Sequence, residues 1–390
     1  MAQATDLSSD RVTRSESPAS ARVGQRPVLL AAGGTGGHLF PAEALAAALA
    51  KRGVAVELAT DARAAGRVGA FPASAVHIIP SATFRGRDPF SLARTGIVLG
   101  FGLTKAWLKL PFVRPSVVVG FGGYPTVPPV LAATLRRVPT VIHEQNAVMG
   151  RANRLLAPRV SAIATGFAGI LDREPELSAK ATHTGNPVRP AVIAASGTPY
   201  APPDAAGPLH LLVFGGSQGA RVMSEIVPAA VERLEPRLQM RLKVVQQARE
   251  EDVPHVRHNY ARMRVSAEVE SFFGDLPARM ARCHLVVSRS SASTVAELSV
   301  IGRPSILVPL PYALDQDQRA NAGMLEQAGG AIRLDQSEFS PDRLAVEIAG
   351  LAAEPARLSA MAAAAKSQGA TDAADRLADL VLRVAGVATK

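Results

Sequence analysis

Cysteine is nearly absent: the 390 residues hold one, Cys283. That excludes a disulfide framework and a zinc–cysteine cluster, and it fits a reducing compartment. The first 25 residues mix Asp, Glu and Arg with Ser and Ala and lack the apolar stretch of a secretory signal. Longer apolar stretches are interrupted by Gly, Lys or Pro before about 18 residues, so no membrane-spanning helix is expected. No H-E-x-x-H or cysteine–histidine spacing suggests a metal, and no Gly-Lys-Ser/Thr ending marks a P-loop. What the chain does have is core material: 47% hydrophobic and only 19% charged residues. A disordered chain is thereby ruled out. Lys plus Arg is 43 against 33 Asp plus Glu, a net charge of +10. That balance suits an anionic partner: a nucleotide, a nucleic acid or an acidic membrane surface.

Short β-branched runs alternate with Ala-rich helical stretches. Strands are expected at 27–32, 54–59, 116–121, 140–143, 209–214, 242–246, 284–288 and 305–309, with a helix at 41–51. This alternation implies an α/β fold with parallel sheets and helices on both faces. A stretch rich in Pro and Gly at 187–208 reads as a linker. It divides a disordered tail at 1–26 and a first domain at 27–186 from a second domain at 209–370. Residues 371–390 are expected to form a C-terminal helix that packs back on the first domain. Each domain opens with an apolar strand, a glycine-rich turn and a helix, which is the Rossmann-like device. Two such halves would face each other across a cleft, with ligands at the carboxyl ends of the strands.

The glycines at 33, 34, 36 and 37 permit positive φ and close backbone approach before a helix N-terminus, a natural anion site. A dinucleotide fingerprint fails here, because Leu39 stands where the third glycine is needed. Gly122-Gly123 and Gly215–Gly219 are further glycine turns. Arg289–Glu297 follows a strand and opens a helix, with hydroxyls at 290, 291, 293 and 294. Those hydroxyls could hold a diphosphate without metal. Glu297 could accept two hydrogen bonds from a ribose diol, or merely suit the helix dipole; the local pattern does not choose. Asp315-Gln-Asp317 is weak as a metal motif, whereas the neutral amides Gln316, Gln318 and Asn321 suit sugar hydroxyls. His38 follows the first glycine loop, and His143-Glu-Gln-Asn146 ends a strand. Either His38 or Glu144 could take a proton from an acceptor hydroxyl.

Phe84–Phe90 leads into a stretch at 91–110 read as a helix interrupted by glycines. At 100° per residue Arg94, Lys105 and Lys109 fall within about 60° of one another. Leu99, Leu103, Trp107 and Leu110 are expected to pack inward. Ile97, Val98, Phe101 and Leu108 flank the basic stripe. The surface fits either a headgroup interface with anionic lipid or a helix whose lysines face water.

Gly-Gly-Thr-Gly-Gly-His38, Gly-Gly-Tyr124, His-Glu-Gln-Asn146, Gly-Asn-Pro-Val-Arg189, Gly-Gly-Ser-Gln-Gly-Ala220 and Ser-Thr-Val-Ala-Glu297 occur in this order. In that order they resemble the MurG family of bacterial glycosyltransferases, over residues 27–375. The resemblance implies a GT-B fold and inverting, metal-free transfer of N-acetylglucosamine from its UDP donor to lipid I, giving lipid II for peptidoglycan. It implies no cofactor. Thr35, Gly36 and Gly37 would contact the donor, and Asn146 the N-acetylglucosamine. Arg189 and Ser217 would hold the diphosphate, and the Phe273 backbone would meet uracil. Ala292, Ser293, Thr294, Val295, Ala296 and Glu297 would cradle the α-phosphate and ribose. Gln318 and Gln316 would read sugar hydroxyls. His38 would be the base, with Glu144 in reserve. Phe84, Arg85, Arg87, Phe90, Arg94, Phe101 and Lys105 would form a patch against anionic phospholipid. The enzyme would then sit peripherally on the cytoplasmic face of the cell membrane, near other cell-wall synthesis proteins and without a nucleic-acid partner. One departure is Arg289-Ser-Ser-Ala292, where the family usually has Arg-Ser-Gly-Ala.

Other readings are a different GT-B lipid or natural-product glycosyltransferase, and a non-catalytic nucleotide-binding membrane scaffold. A nicotinamide dehydrogenase would use Asp61, but the broken glycine fingerprint argues against it.

Overall fold

The computed structural model describes residues 26–387, apart from 35, 67–70, 84–88, 217–218 and 312–315. Its strands are short apolar runs, as parallel strands covered on both faces must be. The first sheet contains β1 (Val28–Ala31), β2 (Val56–Thr60), β3 (Ala75–Ile78), β4 (Val117–Gly120), β5 (Thr140–Glu144), β6 (Ala162–Thr165) and β7 (Ala181–His183). It is a 7-stranded sheet in the order β3-β2-β1-β4-β5-β6-β7. The second contains β8 (Leu209–Phe214), β9 (Leu242–Gln247), β10 (Ser266–Glu270), β11 (Leu285–Ser288), β12 (Ser305–Leu307) and β13 (Ala331–Arg333). It is a 6-stranded sheet in the order β10-β9-β8-β11-β12-β13. The strand pairs in both sheets are parallel. The expected α/β architecture of two Rossmann-like halves is therefore what the chain adopts.

In each sheet the strand order reverses direction once, between β1 and β4 and between β8 and β11. A crevice opens at such a reversal, outside the carboxyl ends of the strands. The turns that leave these four strands start at Gly33-Gly34, Gly122-Gly123, Gly215-Gly216 and Arg289-Ser290. The sequence had marked all four turns, and topology explains why they gather at one place.

The segment at 187–208 is not a plain tether. Pro190–Ala195 is helical, and its Val192 is fully buried in the same core as Met280 and Val286 of the second lobe. The final helix, Ala373–Val384, returns to the first lobe. Its Leu377, Ala378, Leu380 and Val381 share a core with Val28, Leu30 and Val117. Arg52 ties it from outside, 2.8 Å from Asp375 and 3.1 Å from Asp379.

The glycines of the basic segment do not interrupt its helix, which runs unbroken from Pro89 to Val113. Contact with the neighbouring helix Val127–Leu135 holds it. Gly102 is what lets it come so close: a Cβ there would collide with the Pro80 carbonyl. The inward stripe is Thr95, Gly102, Ala106 and Leu110. Trp107, expected inside, lies on the outer side with the Arg136 guanidinium 3.7 Å above its ring. Leu99 and Leu103 are half-buried. By length and composition Ala93–Val113 is apolar enough to cross a membrane, contrary to the reading from interrupted runs. Its inner stripe is nevertheless occupied by the lobe.

Candidate active site

A cleft of about 900 Å³ lies between the lobes, within the size range of small-molecule sites. Gly37 and Phe40 line it from the first lobe and Arg189 from the segment between the lobes; Gly215, Ser291, Ser293, Thr294, Glu297 and Gln318 line it from the second. Ser291 is the N-cap of the helix Ala292–Ile301, its Oγ accepting from the Thr294 amide at 3.3 Å. The same Oγ lies 2.9 Å from Thr294 Oγ1 and 3.2 Å from Ser293 Oγ. A helix start with clustered hydroxyls concentrates donors and positive potential at the cleft wall.

Glu297 is one turn further along and 7% exposed. Its Oε1 accepts from Arg189 Nη2 at 3.0 Å. Burial raises the Glu297 pKa, and Arg189 offsets that only in part. Arg189 also lies 4.3 Å over the Phe40 ring, and its buried Nε has no partner. The cation therefore keeps an unused donor. Phe273 is buried beneath the Arg279 guanidinium, 4.3 Å from its ring, while Phe272 beside it is exposed and lines the cleft.

Not every residue marked in the sequence faces this space. The side chains of Val295 and Ala296 line a smaller cavity behind the helix, with Phe167, His183 and Asn186. Helical periodicity explains it: residues after Thr294 turn away, and Glu297 returns a turn later. Ala292 is buried in the helix's first turn. Gln318 lines the cleft, with Oε1 accepting from the Leu310 amide at 3.1 Å. Gln316 is exposed, in a left-handed conformation that caps the helix Asp317–Gln327. Thr35, Ser217, Phe84, Arg85 and Arg87 lie outside the described residues; Gly36 and Gly37 open the first-lobe helix.

On the first-lobe side, Gly122 and Gly123 take φ of 78° and 70°, which only glycine adopts easily. His38 rests over them: a Cβ on Gly123 would stand 3.2 Å from its Nε2. Burial holds the His38 pKa below the ordinary histidine range, partly offset by Gln145 and the Phe121 carbonyl. Its Nδ1 is buried and makes no hydrogen bond of good geometry. Glu144 is 1% exposed, and its carboxylate is fully engaged. Oε1 accepts from Asn146 N at 2.9 Å and Nδ2 at 3.2 Å; Oε2 accepts from Gly150 N at 2.9 Å and Asn153 Nδ2 at 2.8 Å. This geometry makes Glu144 the anchor of the loop that follows β5 rather than a free proton acceptor. Asn146 in turn accepts from Asn321 Nδ2 at 3.0 Å, a bond between the two lobes. Asn321 also takes the Ala147 amide at 2.8 Å.

Phe272 was not marked by the pattern, and Arg289 and Gln145, though they stand in marked motifs, were given no role of their own. Arg289 donates to the Val308, Pro309 and Gln336 oxygens and braces the cleft floor. Nothing in its local sequence signals that role. Among the described residues no group of three or more His, Cys, Asp or Glu is placed to hold a metal ion.

Two Rossmann-like lobes presenting switch-point turns to one cleft define the GT-B class of glycosyltransferases. The C-terminal domain model of glycosyltransferase family 28 matches residues 210–377, and the N-terminal domain model matches residues 28–165. The chain belongs to glycosyltransferase family 28 and is an enzyme of that class. A relative from Rhodopseudomonas palustris (strain HaA2) is 61% identical over 360 residues, 92% of this chain and 98% of its own length. It is called UDP-N-acetylglucosamine--N-acetylmuramyl-(pentapeptide) pyrophosphoryl-undecaprenol N-acetylglucosamine transferase. One of the same name from Nitrobacter hamburgensis is 60% identical over 358 residues, 92% of this chain and 97% of its own. The crystal structure of Acinetobacter baumannii MurG superposes with a TM-score of 0.74 at 27% identity, covering 92% of this chain and all of that one (100%).

Proposed function

We propose that the cleft transfers N-acetylglucosamine from UDP-N-acetylglucosamine to the hydroxyl of lipid I, forming lipid II for peptidoglycan, with inversion at the anomeric carbon. The relatives' shared name gives donor and acceptor, and their near-complete overlap with this chain supports the same activity here. The observation that carries the site reading is the Arg189–Glu297 pair beside the hydroxyl-rich helix start. Glu297 accepts the ribose diol. The helix N-terminus, Ser293, Thr294 and Arg189 neutralise the diphosphate, so the leaving group needs no divalent ion.

Opposite, His38 takes the proton of the acceptor hydroxyl. The freed oxygen attacks the anomeric carbon as the bond to UDP breaks and the electron pair leaves with the diphosphate. Depressed basicity suits this work, because the imidazole stays neutral down to mildly acidic pH.

The acceptor is carried by a polyprenyl lipid, so the enzyme must meet the cytoplasmic face of the membrane. Phe90, Ile97, Phe101, Leu108 and Phe112 recur at helical spacing and are 82%, 73%, 63%, 54% and 88% exposed. With Arg94 exposed beside them, they form the face that lies in an anionic headgroup region. The decisive experiment is UDP release from UDP-N-acetylglucosamine with a short-chain lipid I analogue, with and without a chelator. Release in both conditions is expected. Release only with some other acceptor would overturn the substrate assignment.

A further inference from the structure

We propose, building on His38 as the base, that Gln145 is a positioning residue that fixes the tautomer of His38 and so leaves its Nε2 free to take the proton. The orientation of the Gln145 amide follows from its neighbours. Nε2 lies 3.0 Å from the Phe121 carbonyl, 3.2 Å from the His143 carbonyl and 3.1 Å from His143 Nδ1. Carbonyl oxygens only accept, so the amide nitrogen must face them and Oε1 must point the other way.

His143 agrees with that orientation. Its Nε2 is 3.1 Å from the Gly185 carbonyl and therefore carries the ring proton, while Nδ1 offers a lone pair to Gln145. Burial lowers the His143 pKa to about 4, so the ring stays neutral and holds this tautomer near pH 7.

Gln145 Oε1 lies over Gly122 beside His38. A Cβ on Gly122 would stand 3.5 Å from Oε1 and 3.4 Å from His38 Cε1. Gln145 and the Phe121 carbonyl are the two groups that favour the protonated His38 ring, and each does so through an oxygen that accepts. Nδ1 makes no hydrogen bond in this structure, and a proton there would have acceptor oxygens among the ring's neighbours to approach, whereas a bare lone pair would have no donor. Nδ1 is also sealed from solvent. A proton from an acceptor in the cleft can therefore reach the ring only at Nε2, and only the Nδ1–H tautomer leaves that atom open. The chain Gly185–His143–Gln145–His38 thus starts at the peptide between the lobes and ends at the base.

The test is long-range ¹H–¹⁵N correlation on the full-length protein labelled at histidine, above the titration of His38, with His38→Ala to assign its signals. The Nδ1–H tautomer is expected in the wild type. Gln145→Leu should shift the ring toward Nε2–H and lower kcat at least about tenfold, with donor KM within about twofold. Gln145→Glu keeps an acceptor oxygen and should keep the Nδ1–H signature. An Nε2–H wild-type ring would overturn the assignment, as would a Gln145→Leu protein with unchanged tautomer and turnover. A merely structural glutamine would lower thermal stability in both variants and leave the tautomer alone. Full turnover in His38→Ala would remove the base itself while leaving the tautomer result standing, so the two failures are separable.

Discussion

Arg189 and Glu297 hold each other across the deep end of the cleft, Nη2 to Oε1 at 3.0 Å. Before donor arrives, each spares the other the cost of a buried lone charge. When UDP binds, the proposed roles separate them: Glu297 turns to the ribose and Arg189 to the diphosphate. Donor binding then exchanges one charge-assisted contact for two.

Glu297→Ala should weaken UDP binding by about 1.5–3 kcal/mol, the value of a hydrogen bond to a charged group. Calorimetric titration reads this, and unaltered affinity would remove the ribose role.

The folded Glu297 pKa is raised, so its ionised form costs stability. That cost is absent below the unfolded pKa and grows as pH rises through the folded one. Glu297→Gln keeps an acceptor for Arg189 without the charge. Relative to wild type, its melting temperature should improve as pH rises from acidic to neutral, even though UDP affinity falls. A wild type that gains on the variant over that range contradicts the burial argument.

His38→Ala should reduce turnover by about 10²–10⁴-fold and leave donor affinity nearly intact. A base must be unprotonated, so activity is lost as pH drops through its pKa. Burial depresses that pKa, so the acidic limb of kcat against pH should fall below about 6.5. A limb at or above that value would point to another group.

Two glycines of the same helix should respond with opposite signs. Nothing lies near a Cβ placed on Gly100, so Gly100→Ala should gain about 0.8–1 kcal/mol from helix propensity. Gly102→Ala meets the Pro80 carbonyl and should be destabilising despite the same propensity. Thermal melts of the pair test the packing of Pro89–Val113 directly.

Phe90→Ser with Phe101→Ser should weaken binding to anionic vesicles by at least about tenfold, since each ring buries substantial apolar surface in lipid. Turnover on a water-soluble acceptor analogue should stay unchanged. Equal vesicle binding by the double variant would move the contact elsewhere.

The sequence revealed the turns better than the sheet edges. Val28–Ala31 and Leu285–Ser288 are apolar because both faces are covered, and each is followed by glycine or serine at a helix start. The strands left unmarked are β3, β6, β7, β10 and β13, and all but β6 are sheet edges. In β10, Ser266–Glu270, only Val269 is buried, so little apolar pattern is required. Glu297 was legible from its place one turn after a cap. The anchoring of Glu144 was not, because its partners at 146, 150 and 153 become visible only when the loop closes on itself. Gln145 was hidden for a similar reason: its partners are His143 in β5 and Phe121, just past the end of β4. Trp107 was misplaced because a helical wheel gives the spacing of faces but not which face meets the neighbour; Gly102 sets that.

The chain passes between the lobes twice, once near Gly185–Val192 and again before Ala373, where the final helix is buried against the opening strands. Two covalent crossings act like a pair of door pins. Two tethers resist independent swivelling and wide separation of the halves more than one would. Any opening of the cleft would therefore have to flex both crossings together.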